Sequence, residues 1–421
     1  MQAAMRVAGL VNEQRQWDRL MAMAAIGAIQ DDGVNRACLT PLDRAARRLL
    51  IEWAEAAGAR VTIDDAANLW LRADGADASA APVITGSHMD TQPNGGRFDG
   101  IYGVIAGLEV LSALHDAGVT PPRPIEVVAW TNEEGGRFAP GCMGSMAWSR
   151  HRPLSAFADI HDPDGVRFAD ALAEHLAEEA DLARRSLGVA PGAAPPHAYL
   201  EAHIEQGPLL EAAHQDVGAV TGIQGCRWFT VTLTGRTAHA GTTPLARRAD
   251  AVQDMVRAIT ALNALMADPD DVLRFTVGRI VVSPNTSNSV ADRAQFTIDF
   301  RHPDAAVLAA RGDLIAATVR HAVRDAGVTV EESFRAEPVR FAPAVIGVVE
   351  TAAEALGLSC RAMPSGAFHD AQFMVPIAPT GMLFVPCRDG VSHNPAEYAT
   401  PSALAAGTRA LAHALISLAT G

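Results

Sequence analysis

Four short apolar runs in this chain lead into carboxylates and imidazoles, and that pattern constrains the fold more than any other feature. Val83-Ile84 leads through Gly86-Ser87 to His88 and Asp90, and Ile125-Glu126-Val127-Val128-Ala129-Trp130 to Glu133 and Glu134. Ala198-Tyr199-Leu200 leads into Glu201-Ala202-His203-Ile204-Glu205-Gln206-Gly207, and Met382-Leu383-Phe384-Val385 precedes Ser392-His393-Asn394-Pro395. Runs this short and apolar read as buried strands. Helical patterns over Ile101 to Leu114 and Ala344 to Leu356 lie between them, and the alternation predicts an α/β sheet with helices on both faces. Ligands of such sheets bind beyond the carboxyl ends of the strands, so the polar clusters mark a site.

The middle of the chain differs in texture. Arg227 to Thr234 and Gln295 to Phe300 alternate like half-exposed strands, Ala249 to Met266 and Ala306 to Ala326 read as helices, and Val328 to Phe334 as another strand. The expected organisation is a larger domain in two parts, 1–216 and 336–421, with an α+β domain inserted at 217–335. Pro191 to Pro196 reads as a loop.

With 421 residues and 49% hydrophobic content the chain can bury a sizeable core. A net charge of −14 argues against nucleic-acid backbones and anionic membranes as partners, which reward clustered Lys and Arg. Glu13, Arg15, Asp18 and Arg19 interrupt the N-terminal region, which has neither a signal-peptide layout nor a membrane-spanning run; the expected location is the cytoplasm. The 5 cysteines are scattered and never form C-x-x-C, so neither a disulfide framework nor a zinc knuckle is expected.

The polar clusters supply three histidines (His88, His203, His393), with Asp99 and Glu134, a set suited to zinc, manganese or cobalt. Asp99, among Gly95, Gly96, Gly100 and Gly103 at the start of a predicted helix, is a natural carboxylate for two ions to share. His88 and Asp90, two apart, would face the same side of an extended continuation. Glu133 and Glu134 would alternate in direction if their strand ran through them. Taken singly, a strand-end histidine is more often a satisfied polar residue, and the adjacent Glu133-Glu134 more often a solvated loop. Their joint occurrence favours a dinuclear metal site.

The chain resembles the hydantoinase/carbamoylase branch of the M20 metallopeptidase-like family. The resemblance rests on Gly86-Ser87-His88-Met89-Asp90-Thr91, Gly96-Arg97-Phe98-Asp99-Gly100, Thr131-Asn132-Glu133-Glu134-Gly135, Arg137-Phe138, Met143-Gly144-Ser145, Glu201 to Gly207, Gly235-Arg236-Thr237-Ala238-His239-Ala240-Gly241 and Gly390 to Glu397. It implies a di-metal catalytic domain with a mostly parallel central sheet, an inserted lid domain that forms a homodimer, and two divalent ions per chain. By resemblance one ion falls to His88 and His203 and the other to Glu134 and His393, with Asp99 bridging and Glu133 as general base. Asp90 would steady His88, which agrees with the partner that a metal-bound imidazole requires.

The same resemblance implies that Gln206, Asn288, Arg301, Gly366 and His369 bind substrate and that His239 stabilises the oxyanion, reaching into the partner subunit's site. The implied substrate is a small ureido acid: an N-carbamoyl-L-amino acid, with allantoate or β-ureidopropionate as alternatives, and an aminoacylase or dipeptidase activity or a catalytically silent binder further off. Two departures stand out. Phe368 in Ser365-Gly366-Ala367-Phe368-His369-Asp370-Ala371 replaces a glycine usual in the family, and Asn288-Ser289-Val290-Ala291-Asp292 lacks the Pro-Gly that commonly follows the asparagine.

Overall fold

The computed structural model describes residues 2–190 and 192–421; Pro191, the first residue of the expected 191–196 loop, lies outside them. The chain divides into two compact units, 1–221 with 341–421, and 222–340.

In the first unit, four parallel strands lie in the order Thr380–Val385, Ala198–Ile204, Val83–His88 and Ile125–Trp130. All four are buried throughout, which is why they read as continuous apolar runs rather than alternating ones. Antiparallel strands extend both sides: Leu69–Ala73 pairs with Ile125–Trp130, and Val217–Ile223 with Thr380–Val385. The sheet is therefore mixed around a parallel centre. The Ile101–Ala117 helix packs on it, with Gly103 and Gly107 permitting close approach: a Cβ on Gly103 would lie 2.3 Å from the Ala202 carbonyl oxygen. The Pro401–Thr420 helix is apolar enough to cross a membrane by length and composition, but it packs against Ile101–Ala117, Pro343–Ala355 and the Thr380–Val385 strand.

The second unit is a four-stranded antiparallel sheet in the order Arg274–Ser283, Arg293–His302, Gly225–Thr234, Gly327–Ala336. The helices Ala251–Leu265 and Ala305–Ala322 pack on it, burying Phe229, Val231, Leu233, Phe296, Ile298 and Phe300. The second helix stops at Ala322, short of the expected Ala326. Arg324, Asp325 and Ala326 instead donate their main-chain N–H groups to the buried Asp254 carboxylate. The unit boundaries also fall five residues later than the expected 217–335, because Val217–Ile223 starts within the large sheet and Gly327–Ala336 runs past Arg335.

Candidate metal and active site

Asp99 lies at the centre of the site. It is followed by Gly100, whose φ of +66° turns the chain into the Ile101–Ala117 helix. A Cβ on Gly100 would sit 2.2 Å from the His88 ring, so glycine there lets the imidazole and the helix start share the space. Asp99 Oδ1 is 3.7 Å from His88 Nε2 and 3.2 Å from His203 Nε2, while Oδ2 is 3.2 Å from His393 Nε2. His393 Nε2 is in turn 3.5 Å from Glu134 Oε2. His88, Asp99 and His203 thus form one group of ligand atoms close enough to hold an ion, Asp99, Glu134 and His393 a second, with Asp99 common to both.

The histidine orientations suit a metal. His88 Nδ1 is 2.9 Å from the Asp90 carbonyl oxygen, and His203 Nδ1 is 2.9 Å from the Ile204 carbonyl oxygen. An Nδ1–H donated to a carbonyl leaves the Nε2 lone pair for a cation, the arrangement that metal-binding imidazoles require. Burial holds the His88 pKa down to about 4. For His203, burial is outweighed by the Asp99 carboxylate, which lifts it to about 9; the hydrogen bond with Asp99 lifts His393 to about 9. Desolvation opposes the Asp99 charge, yet its contacts with His203 and His393 keep its pKa well below the carboxylate range.

Several expected positions come together differently from the sequence reading. Asp90 touches His88 through its main-chain carbonyl, its carboxylate lying 3.8 Å away. That carboxylate instead accepts from the N–H groups of Glu133 and Glu134, both at 3.2 Å, fixing the segment after the Ile125–Trp130 strand. Nor do Glu133 and Glu134 diverge by strand alternation, since the strand ends at Trp130 and Asn132 has φ of +56°. The turn sends Glu133 Oε2 to within 3.4 Å of His88 Nε2, and Glu134 to Gln92 and His393. Burial, then Asp370 and Glu134, push the Glu133 pKa well above the carboxylate range; burial and Asp99 raise Glu134 to about 8. His203 lies within its strand, which runs on to Ile204, not beyond the strand end.

Gln206, at φ of +57°, donates to Asp99 Oδ2 at 2.9 Å and to Ser392 Oγ at 3.2 Å, placing it beside the shared carboxylate. His369 is buried; its Nε2 is 2.9 Å from Ser365 Oγ and its ring centroid 4.6 Å from that of His203. Gly366 is exposed just beyond the Cys360–Ser365 strand, and Phe368 is half-buried. Within the 222–340 unit, His239 and Asn288 are neighbours across a two-residue ribbon: His239 pairs with Ser289, and Ala240 N–H donates to the Asn288 carbonyl at 3.0 Å. Arg301 meets Asp299 with Nε at 2.9 Å and Nη2 at 2.8 Å.

Three supporting residues had no role assigned from sequence. Glu397 Oε1 accepts from the N–H groups of Phe98 and Asp99 at 2.9 and 3.1 Å, and Oε2 from Ser392 Oγ at 3.0 Å. A Cβ on Gly96 would collide with this carboxylate at 2.2 Å. Cys142 lies against Glu133, and Asp370, buried and accepting from Ser145 Oγ, raises the Glu133 pKa. Glu397 follows the Ser392-His393-Asn394 motif, the one sequence signal that could have singled it out.

The model of the peptidase family M20/M25/M40 matches residues 84–417. The chain is 40% identical to an N-carbamoyl-L-amino-acid amidohydrolase of Rhizobium meliloti over 97% of each chain. It is 35% identical to an allantoate amidohydrolase of Bacillus subtilis over 96% of this chain and 97% of the relative. A solved amidase of the hydantoinase/carbamoylase family from Burkholderia multivorans superimposes with a TM-score of 0.92 at 44% identity, covering 98% of each chain. With its parallel sheet centre, its Asp99-linked ligand groups and these matches along nearly its whole length, the chain belongs to the M20/M25/M40 peptidase family, in the hydantoinase/carbamoylase branch.

Proposed function

We propose that this chain hydrolyses the ureido C–N bond of N-carbamoyl-L-amino acids or closely related ureido acids, giving the amino acid, ammonia and carbon dioxide. The observation that carries the reading is the pair of ligand groups joined at Asp99 with the Glu133 carboxylate 3.4 Å from His88 Nε2. The names of the full-length relatives support the substrate class, since N-carbamoyl amino acids and allantoate both carry a ureido group near a carboxylate. The donor set, carboxylates and imidazoles without thiolates, fits zinc, manganese or cobalt.

Two divalent ions, held by His88, His203, Asp99, Glu134 and His393, would polarise the ureido carbonyl and acidify a water when bound. Glu133 removes the proton of the attacking water and returns it to the leaving nitrogen, a role supported by its carboxylate oxygen lying 3.4 Å from His88 Nε2 beside the ligand groups. Asp90 holds Glu133 and Glu134 in place through their amides. In this reading Gln206, Asn288, Arg301, Gly366 and His369 bind the substrate, Arg301 taking its carboxylate through a planar fork. His239 supplies a hydrogen bond to the oxyanion, from one protomer into the partner's site in a dimer formed by the inserted unit.

The test is turnover by the purified chain, read as ammonia release from N-carbamoyl-L-amino acids, allantoate and β-ureidopropionate and as free amino acid release from N-acetyl amino acids and dipeptides, each with zinc, manganese and cobalt. Turnover confined to ureido acids supports the proposal; turnover confined to N-acyl amino acids or dipeptides overturns it.

A further inference from the structure

His239 opens a turn whose main-chain amides point back at its own ring. Gly241 N–H and Thr242 N–H donate to His239 Nδ1 at 3.1 and 3.2 Å. Thr243 N–H closes the turn on the His239 carbonyl oxygen at 3.2 Å. The Arg248 side chain braces the same stretch: Nη2 donates to the Ala240 carbonyl at 2.6 Å and Nε to the Thr243 carbonyl at 3.0 Å. Arg248 thus grips carbonyls on both sides of the two amides that face the ring.

A neutral imidazole has one N–H donor and one lone-pair acceptor. Two N–H groups aimed at Nδ1 require the lone pair there, since a proton on that nitrogen would face two more. The remaining proton then belongs to Nε2.

We propose that the Arg248-braced turn locks His239 in the Nε2–H tautomer, so that its exposed ring offers an N–H donor and no acceptor at Nε2. The inference rests on the reading of His239 as the oxyanion partner and deepens it. An oxyanion needs a donor already in place, because reorientation during the reaction would cost part of the stabilisation. The locked ring serves an oxygen that gains negative charge and cannot serve as a proton acceptor through Nε2. Arg248 becomes a positioning residue that acts through the turn.

The experiment uses the full-length, metal-free chain carrying isotopically labelled histidine ring nitrogens. Two-bond proton–nitrogen correlations in mildly alkaline buffer show which nitrogen bears the proton. The His239 signals are assigned by their loss in His239→Gln. We expect an unprotonated Nδ1 and a protonated Nε2 in the unaltered chain. In Arg248→Gln, with the other histidine signals unchanged, the His239 pattern should move toward an average of the two tautomers; Arg248→Lys, which cannot grip both carbonyls, should lie between. A proton on Nδ1, or an averaged pattern in the unaltered chain, overturns the proposal, as does an Arg248→Gln spectrum identical to the unaltered one. Should Arg248→Gln fail to fold, the unaltered spectrum still decides the tautomer. The oxyanion role is judged separately by kinetics: full kcat in His239→Ala would remove that role while the spectrum continues to decide the tautomer.

Discussion

Cys142 Sγ lies 3.4 Å from Glu133 Oε1, and the Cys142 N–H donates to the Glu133 carbonyl oxygen at 2.9 Å, so one residue fixes both the backbone and the carboxylate of the proposed base. Cys142 reaches this position through a left-handed turn, φ of +55°, just before the short Met143–Trp148 helix. A thiol is a weak donor, so its contribution is orientation more than charge. Cys142→Ala should lower kcat by about 3-fold to 10-fold with metal content and KM little changed. Cys142→Ser, which restores a donor, should recover most of the loss. Steady-state kinetics beside elemental analysis checks this, and an unaltered kcat in the alanine variant would show that the contact is passive.

Glu397 presents Asp99 to both ligand groups. Its carboxylate receives the Asp99 and Phe98 amides, and loss of a group that orients a metal ligand typically costs 10-fold to 100-fold in affinity. Glu397→Gln should weaken metal binding by about that range, as read by competition with a chelating dye, while leaving the fold intact. Unchanged affinity would contradict the presenting role.

Metal loading should be strongly pH-dependent. His203 and His393, raised to about 9, and Glu134, raised to about 8, hold protons in the metal-free chain near neutral pH. An ion must displace those protons, so affinity is weakest at low pH, rises as pH climbs, and levels off above about pH 9. Calorimetric titration in buffers of different ionisation enthalpy should show net proton release at neutral pH. Binding without proton release would mean these groups are already deprotonated.

Glycine at position 100 is predicted to be required by space as well as by φ. An added Cβ would lie 2.2 Å from the His88 ring, whereas one at Gly118, which shares only the positive φ (+58°), would meet nothing within 4 Å. Gly118→Ala should therefore cost only about 1 kcal/mol, from the left-handed conformation, and Gly100→Ala about 1–3 kcal/mol more, from overpacking. Thermal unfolding of the two variants checks the difference; equal losses would refute the steric argument.

The strands that carry the ligands were legible because full burial writes them as unbroken apolar runs. Ile125–Trp130 was read with both its ends correct, and Val83–His88 from its first residue. Leu69–Ala73 was missed, its Arg72 and Ala73 giving no strand pattern although it pairs along its whole length with Ile125–Trp130. Arg274–Ser283 was missed as well: it is an edge strand with most residues exposed, and burial writes little alternation into it. The supporting residues were illegible for another reason. Glu397 meets the Asp99 amide across 298 residues of sequence, and nothing local to either distinguishes that pairing. Asp90 shows the limit of spacing arguments: it sits beside His88 as its position suggests, but its carboxylate serves the Glu133 and Glu134 amides.

If two ions share Asp99 as in the proposed function, activity needs both. The direct measurement is a stepwise titration of the metal-free chain with zinc, following bound metal and ammonia release from an N-carbamoyl-L-amino acid in the same samples. Full activity should coincide with two bound ions per chain, and Asp99→Asn should abolish the second binding event together with turnover. Full activity with one ion bound at saturation would contradict it.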